Sequence, residues 1–374
     1  MRVKIKKRAP SKAGRKIMKE GPAGGARSAQ ATIDALRLMK ENYRNAPAER
    51  SVGGAAFAGL VKLVPFKNGK TLTNSSRSMF LNCRRKYQYS YVYGLAPRKP
   101  SVPFLVGGLF HDELDRMYTA GEFDEEAAKA RIATACEKAA NTEGLVPEDS
   151  DNIYVQQAIA FGAVKGYAAN YLASDLKKWR VVAAEGDFSV PINSSWTYRG
   201  KTDLVVEERA TGRTLLVEHK TAGRLDAGYV AKLPMDSQIL GYAWAKRQEK
   251  LRLAGVVYNV TKKPQIRQRQ TETLRQFYQR IEDEYALNPA AYFYREILVF
   301  SDGDIDRFAG ELEDFTRDVE QAQERNKFSV NPSQCTAMGV CPFMRLCLDG
   351  VNKETLMHYR IKDRPHEELP QEDQ

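Results

Sequence analysis

The chain has 374 residues, 43% hydrophobic and 28% charged, with a formal net charge of +11. That is ample for one large or two ordinary domains, and no stretch approaches the ~18 consecutive apolar residues of a membrane span or opens the chain as a signal peptide. The charge favours a polyanionic partner, nucleic acid before anionic membrane, while five cysteines in a signal-free chain predict thiols or metal ligands in a reducing, cytoplasmic compartment rather than disulfides.

Residues 1–27 carry nine Lys/Arg within the first 19 positions and no acidic residue before Glu20, the composition of a disordered basic arm. Such an arm raises affinity for a polyanion in a salt-dependent way, keeps the chain soluble, or targets an organelle. The spacing of Ile33, Leu36, Met39 and Tyr43 predicts a short helix over 28–44, so 1–50 reads as arm plus helix, followed by a linker at "SVGGAAFAGL". From 72 to about 180 the periodicity is mainly helical, longest in "DNIYVQQAIAFGAVKGYAANYLASDLKKW". Within this part "CRRKYQYSYVYGLAPRK" interleaves basic and aromatic residues; Tyr87, Tyr89 and Tyr91 either stack on exposed bases or pack a helix.

The period then changes to two. "VVAAEGDFSVPI", "WTYRGKTDLVVEE" and "TLLVEHKT" predict three successive strands with turns at "NSS" and "RATGR". A helix over roughly 227–249, strands at "LAGVVYNVT" and "YFYREILVFS" and a charged helix over 303–327 follow. The pattern predicts an α/β core over 181–300, a mixed central sheet flanked by helices, with the mainly helical 72–180 segment inserted before it. A cysteine-bearing segment to about 350 and a polar, frayed tail over 351–374 close the chain.

The run "LLVEHKT" ends a buried-looking strand in three ionisable groups. Residues two apart in a strand share a face, so Glu218 and Lys220 point one way and His219 the other. The "RATGR" hairpin brings Asp203 alongside. Two carboxylates ~5 Å apart repel by roughly 3 kcal/mol at an effective dielectric of 20. A lysine offsets part of this and a hard divalent cation offsets more, so the trio is either a salt bridge at a strand end or a metal-and-water site.

Asp203, a short gap, then Glu218-x-Lys220 resembles the active-site motif of the PD-(D/E)XK nuclease superfamily. Gln238-Ile-Leu-Gly-Tyr242 is similar to the Q-x-x-x-Y motif of its RecB-like exonuclease branch. Glu185 falls where that branch carries a glutamate on the preceding strand, and "GGLFHDELDRMY" resembles its upstream histidine segment at His111. The aspartate follows "GKT" instead of the family's frequent proline. The resemblance spans roughly 72–350 and implies a restriction-endonuclease-like fold and a metal-dependent DNA exonuclease acting on single-stranded or end-processed DNA. It implies Mg²⁺ or Mn²⁺ held by Asp203, Glu218, the His219 carbonyl, His111 and Glu185. Lys220 would orient or deprotonate the attacking water, and Gln238 and Tyr242 would orient the site and the scissile phosphate. No G-x-x-x-x-G-K-[ST] loop occurs, so any helicase or recombination partner is expected to be a separate chain, and the resemblance implies a prokaryotic or phage-encoded source. The rival is a catalytically weak DNA-binding subunit of a recombination or repair complex.

Cys335, Cys341 and Cys347 recur every six residues, unlike the C-x-x-C pairs of common zinc modules. With Cys83 far upstream and Pro342 after Cys341, the set resembles the iron–sulfur RecB-like nucleases, among them the AddB nuclease domain and the CRISPR adaptation exonucleases. This implies a [4Fe–4S] cluster in the C-terminal segment on Cys83, Cys335, Cys341 and Cys347. Closing so long a loop would contribute roughly 5 kcal/mol by analogy with a cross-link. Cys136, on a helical pattern, reads as a small buried residue.

Overall fold

A computed structural model of the chain describes residues 62–66, 70–98, 102–141, 147–337 and 339–369. The predicted basic arm, the helix over 28–44 and the linker lie outside the described residues. Among the described residues, no helix is long and apolar enough to cross a membrane.

The elements run β1 (Thr71–Leu72), α1 (Asn74–Asn82), α2 (Arg84–Tyr87) with a π turn over Gln88–Val92, and β2 (Leu95–Pro97). Helices α3 (Val102–Ala120), α4 (Glu125–Ala140), α5 (Pro147–Tyr167) and α6 (Ala173–Lys178) form the helical insertion. Strands β3 (Trp179–Pro191), β4 (Thr197–Glu208) and β5 (Thr214–Ala222) lead through α7 (Ala227–Ala231) to α8 (Ser237–Gln248) and β6 (Gly255–Lys262). Then come α9 (Leu274–Leu287), α10 (Pro289–Tyr292), β7 (Phe293–Leu298), α11 (Asp302–Glu324), α12 (Met344–Asp349), α13 (Lys353–Leu356) and β8 (Tyr359–Ile361).

The sheet is mixed, as the strand pattern predicts. β3 and β4 pair antiparallel along nearly their whole length, β4 and β5 form an antiparallel hairpin, β5 and β6 run parallel, and β6 and β7 antiparallel. β1 joins the first residues of β4 in parallel, so β4 exchanges one neighbour for another along its length. Helices cover both faces. Leu204, Val206, Leu215, Val217 and Val257 pack with α3, α4, α5 and α9, whereas Val205, Leu216, Val256, Tyr258 and Val260 pack with α8 and α11. Burial on both faces explains the unbroken apolar run of β5. This mixed α/β core with its helical insertion resembles the restriction-endonuclease-like fold.

Two expectations change. The helix over 227–249 is broken, because Pro234 starts a short 3₁₀ turn and Asp236 recaps the chain as α8, its carboxylate accepting from Gln238 N–H at 2.8 Å. The polar segment after 350 is not frayed over its described part: β8 pairs antiparallel with β2. Tyr359 stacks on Phe343 at 5.5 Å, and Glu368 accepts from Thr73 Oγ1 at 2.9 Å and Tyr91 Oη at 3.0 Å. Few apolar residues are needed there because the segment docks through aromatic and carboxylate contacts.

Candidate active site

The β4–β5 ladder ends at Leu204 opposite Val217, and beyond it the two strands part. Asp203 fills the fork. Its Oδ2 accepts the backbone N–H of His219 at 2.7 Å, and its Oδ1 lies 3.1 Å from His111 Nδ1 on α3. Burial pushes the Asp203 carboxyl up, but the His111 ring, His219 and Lys220 outweigh it and hold the pKa well below the usual carboxylate range. His111 moves the other way: burial opposes its charge, yet the Asp203 carboxylate prevails and raises it.

On the α8 face Lys220 Nζ lies 2.5 Å from Glu218 Oε1 and donates to Gln238 Oε1 at 2.8 Å. Gln238 Nε2 in turn donates to Glu218 Oε1 at 3.1 Å and Tyr242 Oη at 2.6 Å. Gln238 therefore ties glutamate, lysine and phenol into one unit. Helix α8 comes close enough because residue 241 is glycine: a Cβ there would lie 2.3 Å from Tyr198 Oη. Burial and the Asp203 charge push Glu218 up to about 7, against the pull of Lys220. Lys220 is raised, since Glu218 and Asp203 overcome the burial that opposes its charge.

His219 points to the opposite face, into a buried polar network that the sequence did not disclose. Arg295 Nε donates to Asn259 Oδ1 at 2.5 Å, leaving Asn259 Nδ2 facing His219 Nδ1 and Tyr167 Oη, each at 3.3 Å. Arg295 also grips fully buried Asp175 through its two terminal nitrogens, at 2.6 and 2.8 Å, and Tyr118 Oη donates to the same carboxylate at 2.6 Å. An amide held this way makes Nδ1 of His219 the acceptor, so its ring proton sits on Nε2. Burial drives the ring down to about 3, which keeps it neutral. No local signal links Asp175, Asn259 and Arg295, which lie far apart in sequence.

Glu185, on β3, lies opposite Asp203 of β4, between the pairs Ala184–Leu204 and Gly186–Thr202. Its φ of +49° is left-handed, a strained setting for a glutamate, and its carboxylate pairs with Lys201. It nevertheless lines a small cleft with His111, Asp115, Asp203 and His219. The structure thus brings Asp203, Glu218, Lys220, Gln238 and Tyr242 to one end of β5, with His111 and Glu185 on its flank.

The donor set fits a hard divalent cation. Glu218 Oε2 is buried with no hydrogen-bond partner among the described residues, and Asp203 retains lone pairs beyond its two hydrogen bonds. Among the described residues no three His, Cys, Asp or Glu side chains form a ready metal group.

Tyr87, Tyr89 and Tyr91 are not exposed stacking platforms: at 5%, 4% and 5% exposure they are core residues. Tyr87 and Tyr91 pack in the α8 face's core and Tyr89 against Phe343, so the helix-packing alternative holds. Cys136 is fully buried in α4. Cys83 is buried, Cys335 and Cys341 half-buried and Cys347 exposed. Asn331 N–H points at Cys83 Sγ at 3.5 Å and Cys341 N–H donates to Cys335 O at 2.8 Å. Burial first, then the nearby Cys341 and Cys83 thiols, raise Cys335, and the same neighbours act on Cys347. Asn331 thus lies between Cys83 and Cys335, and Cys341 beside Cys335, but among the described residues these thiols do not form a metal group.

No curated protein matches the chain significantly. A solved structure described as "Crystal structure of SSO0001" is similar at 12% identity over 77% of this chain and 90% of that one, with a TM-score of 0.29. The family model of the PD-(D/E)XK nuclease superfamily matches residues 71–348, which span the sheet, the fork at Asp203 and the Glu218–Lys220 pair. The chain belongs to the PD-(D/E)XK nuclease superfamily.

Proposed function

We propose that this chain is a metal-dependent deoxyribonuclease, a RecB-like exonuclease that hydrolyses single-stranded or end-processed DNA. The observation that carries this reading is the joining of Glu218, Lys220 and Gln238 into one unit beside Asp203, with Glu218 Oε2 left as an unpartnered buried acceptor. Asp203 and Glu218, with the His219 carbonyl, would hold Mg²⁺ or Mn²⁺, and His111 and Glu185 would complete or steady that shell. Such an ion, when bound, polarises a phosphoryl oxygen and lowers the pKa of an attacking water.

The protein's own groups have distinct tasks. Lys220, held between the Glu218 carboxylate and the Gln238 amide, orients or deprotonates the water and offsets the charge that builds on the phosphate. Gln238 fixes the lysine's direction, and Tyr242 fixes Gln238. His111 holds Asp203 ionised.

The neighbouring thiols of Cys83, Cys335, Cys341 and Cys347 support a second element of this reading, a [4Fe–4S] cluster joining the two ends of the described fold. A separate helicase or recombination partner would supply any ATP-driven step. The alternative, a catalytically weak iron–sulfur DNA-binding subunit, draws on the hydrogen bonds that already occupy both oxygens of Asp203. Cleavage of end-labelled linear and closed circular single-stranded DNA, with and without Mn²⁺, separates the readings. Loss of the linear substrate alone supports an exonuclease, loss of both an endonuclease, and loss of neither the binding subunit.

A further inference from the structure

The register of β5 and β6 ends with Ala222 beside Lys262, and Lys263 N–H donates to Ala222 O at 2.7 Å, two residues past Lys220. The loop that leaves this point carries Lys262, Lys263, Arg267 and Arg269 and no acidic residue until Glu272. It is not slack. Glu272 is gripped by Arg280 at 2.6 and 2.7 Å, Arg280 also donates to Arg267 O at 2.9 Å, and Gln268 Nε2 donates to Glu272 O at 2.8 Å. The loop's one nearby carboxylate is thereby spent inside it, while Arg267 and Arg269 face solvent. Among the described residues the Arg267 guanidinium has no carboxylate within ion-pair distance.

This clamped loop forms one wall of a groove whose other wall is the start of α5. Arg267 and Gln268 line it together with Asn152 and Tyr154 of α5 and with Leu274. Tyr154 is 36% exposed, the one tyrosine among the large apolar side chains left open in the described residues, and Leu274 is 39% exposed beside it. Ile266 roots the loop in the core on the same sheet face as His219 and Tyr118. Five residues separate Arg267 from Lys262, a reach of at most about 17 Å, or a few nucleotides of strand.

We propose that this groove binds an unpaired segment of the nucleic acid strand leaving the active site, with a base stacked on Tyr154 and the backbone phosphate beside it paired with Arg267. The inference rests on the nuclease reading for the direction of the strand, but not for its chemistry. A cation on a fixed loop suits a phosphate, an open phenol ring suits a base face, and stacking requires a base that is not already paired. The cationic wall, which continues from the end of β5, suits a polyanion over an apolar segment, and the tyrosine ring beside it suits a nucleobase over an acidic peptide. Tyr154 and Arg267 take the stacking role that the tyrosines over 87–91, being buried, leave open.

Binding of a fluorescent 20-nucleotide oligo(dT) to the full chain, followed by anisotropy in EDTA, tests this without any cleavage. Tyr154→Ala should weaken binding about 5- to 100-fold, the range for one lost base stack, while Tyr154→Trp should retain it. Arg267→Ala should weaken binding and reduce the slope of log K against log salt by about 0.7, the release expected for one single-strand phosphate. Both side chains are on the surface, and a thermal melt matching the parent shows that each variant is folded. Parental affinity in Tyr154→Ala, or a parental salt slope in Arg267→Ala, overturns the proposal. The parent's cleavage of the same strand in Mn²⁺ is scored separately, so an inert parent would count against the nuclease reading while the binding data still judge the groove.

Discussion

The carboxylate of Asp203 takes the backbone N–H of His219 at 2.7 Å, in the place where a ladder partner on β4 would otherwise accept. One side chain thus ends the β4–β5 pairing, satisfies a buried donor and sets the distance between the two strands that carry the site. Asp203→Asn keeps the shape and an acceptor oxygen but removes the charge. This change and Lys220→Ala should each lower DNA cleavage by at least ~100-fold, the scale of a lost positioned catalytic group, with DNA binding retained. Initial rates on labelled DNA check this; a variant that cleaves like the parent displaces the site.

The Asp175–Arg295 pair behind His219 is fully buried on the aspartate side and partly exposed on the arginine side, so removing Asp175 leaves a largely buried guanidinium without its carboxylate. Asp175→Ala should cost about 3–5 kcal/mol of stability, far more than a surface pair. Denaturant melts measure it, and a loss under 1 kcal/mol would mean that Arg295 finds water.

Glu185 holds a left-handed backbone that glycine adopts freely. Glu185→Gly should therefore stabilise the fold by about 1 kcal/mol while lowering cleavage roughly 10- to 100-fold, if its carboxylate steadies the metal shell. Opposite signs in the melt and the rate mark strain kept for function; equal loss of both marks a structural residue.

Glu368 links acid pH to the C-terminal segment. Burial raises its carboxyl, but His366 and Thr73 outweigh this and bring it down to about 2. A depressed carboxyl contributes stability that is present above the ordinary glutamate range and is lost as pH falls through that range toward 2. Proteolysis of the segment after residue 350 should quicken over that window, and Glu368→Gln should flatten the dependence by removing the charge.

Protein purified without oxygen should contain about four irons per chain. Serine at Cys83, Cys335, Cys341 or Cys347 should each remove the iron, and serine at Cys136 should leave it. Elemental analysis decides; stoichiometric zinc would change the chemistry while keeping the four ligands.

Much of the site's surroundings was legible because local pattern and packing agree there. The apolar run of β5 reads as a doubly covered strand, and the alternation of Glu218, His219 and Lys220 gives their opposite faces at once. What the sequence hid depends on contacts across the chain. Asp175 looks like any helix-surface aspartate until Arg295, 120 residues later, is folded onto it. Tyr87, Tyr89 and Tyr91 sit among basic residues, yet the segment is covered on two sides, Tyr87 and Tyr91 in one apolar cluster and Tyr89 in another, and one-dimensional spacing does not reveal that double cover. Tyr154 gave no motif at all; its exposure follows only from where the loop after β6 comes to rest.

The pairing of β2 with β8 also bears on how the protein is made. Leu95 meets Ile361, so β2 leaves the ribosome some 260 residues before its partner. At about 5–20 residues per second that is a wait on the order of ten to fifty seconds, during which Leu95 and Tyr89, both buried in the finished fold, lack their cover. The sheet bearing Asp203 and Lys220 can form within that interval. A nascent chain halted before β8 should therefore carry an assembled nuclease core with an exposed apolar flank, the kind of surface that recruits chaperones during translation.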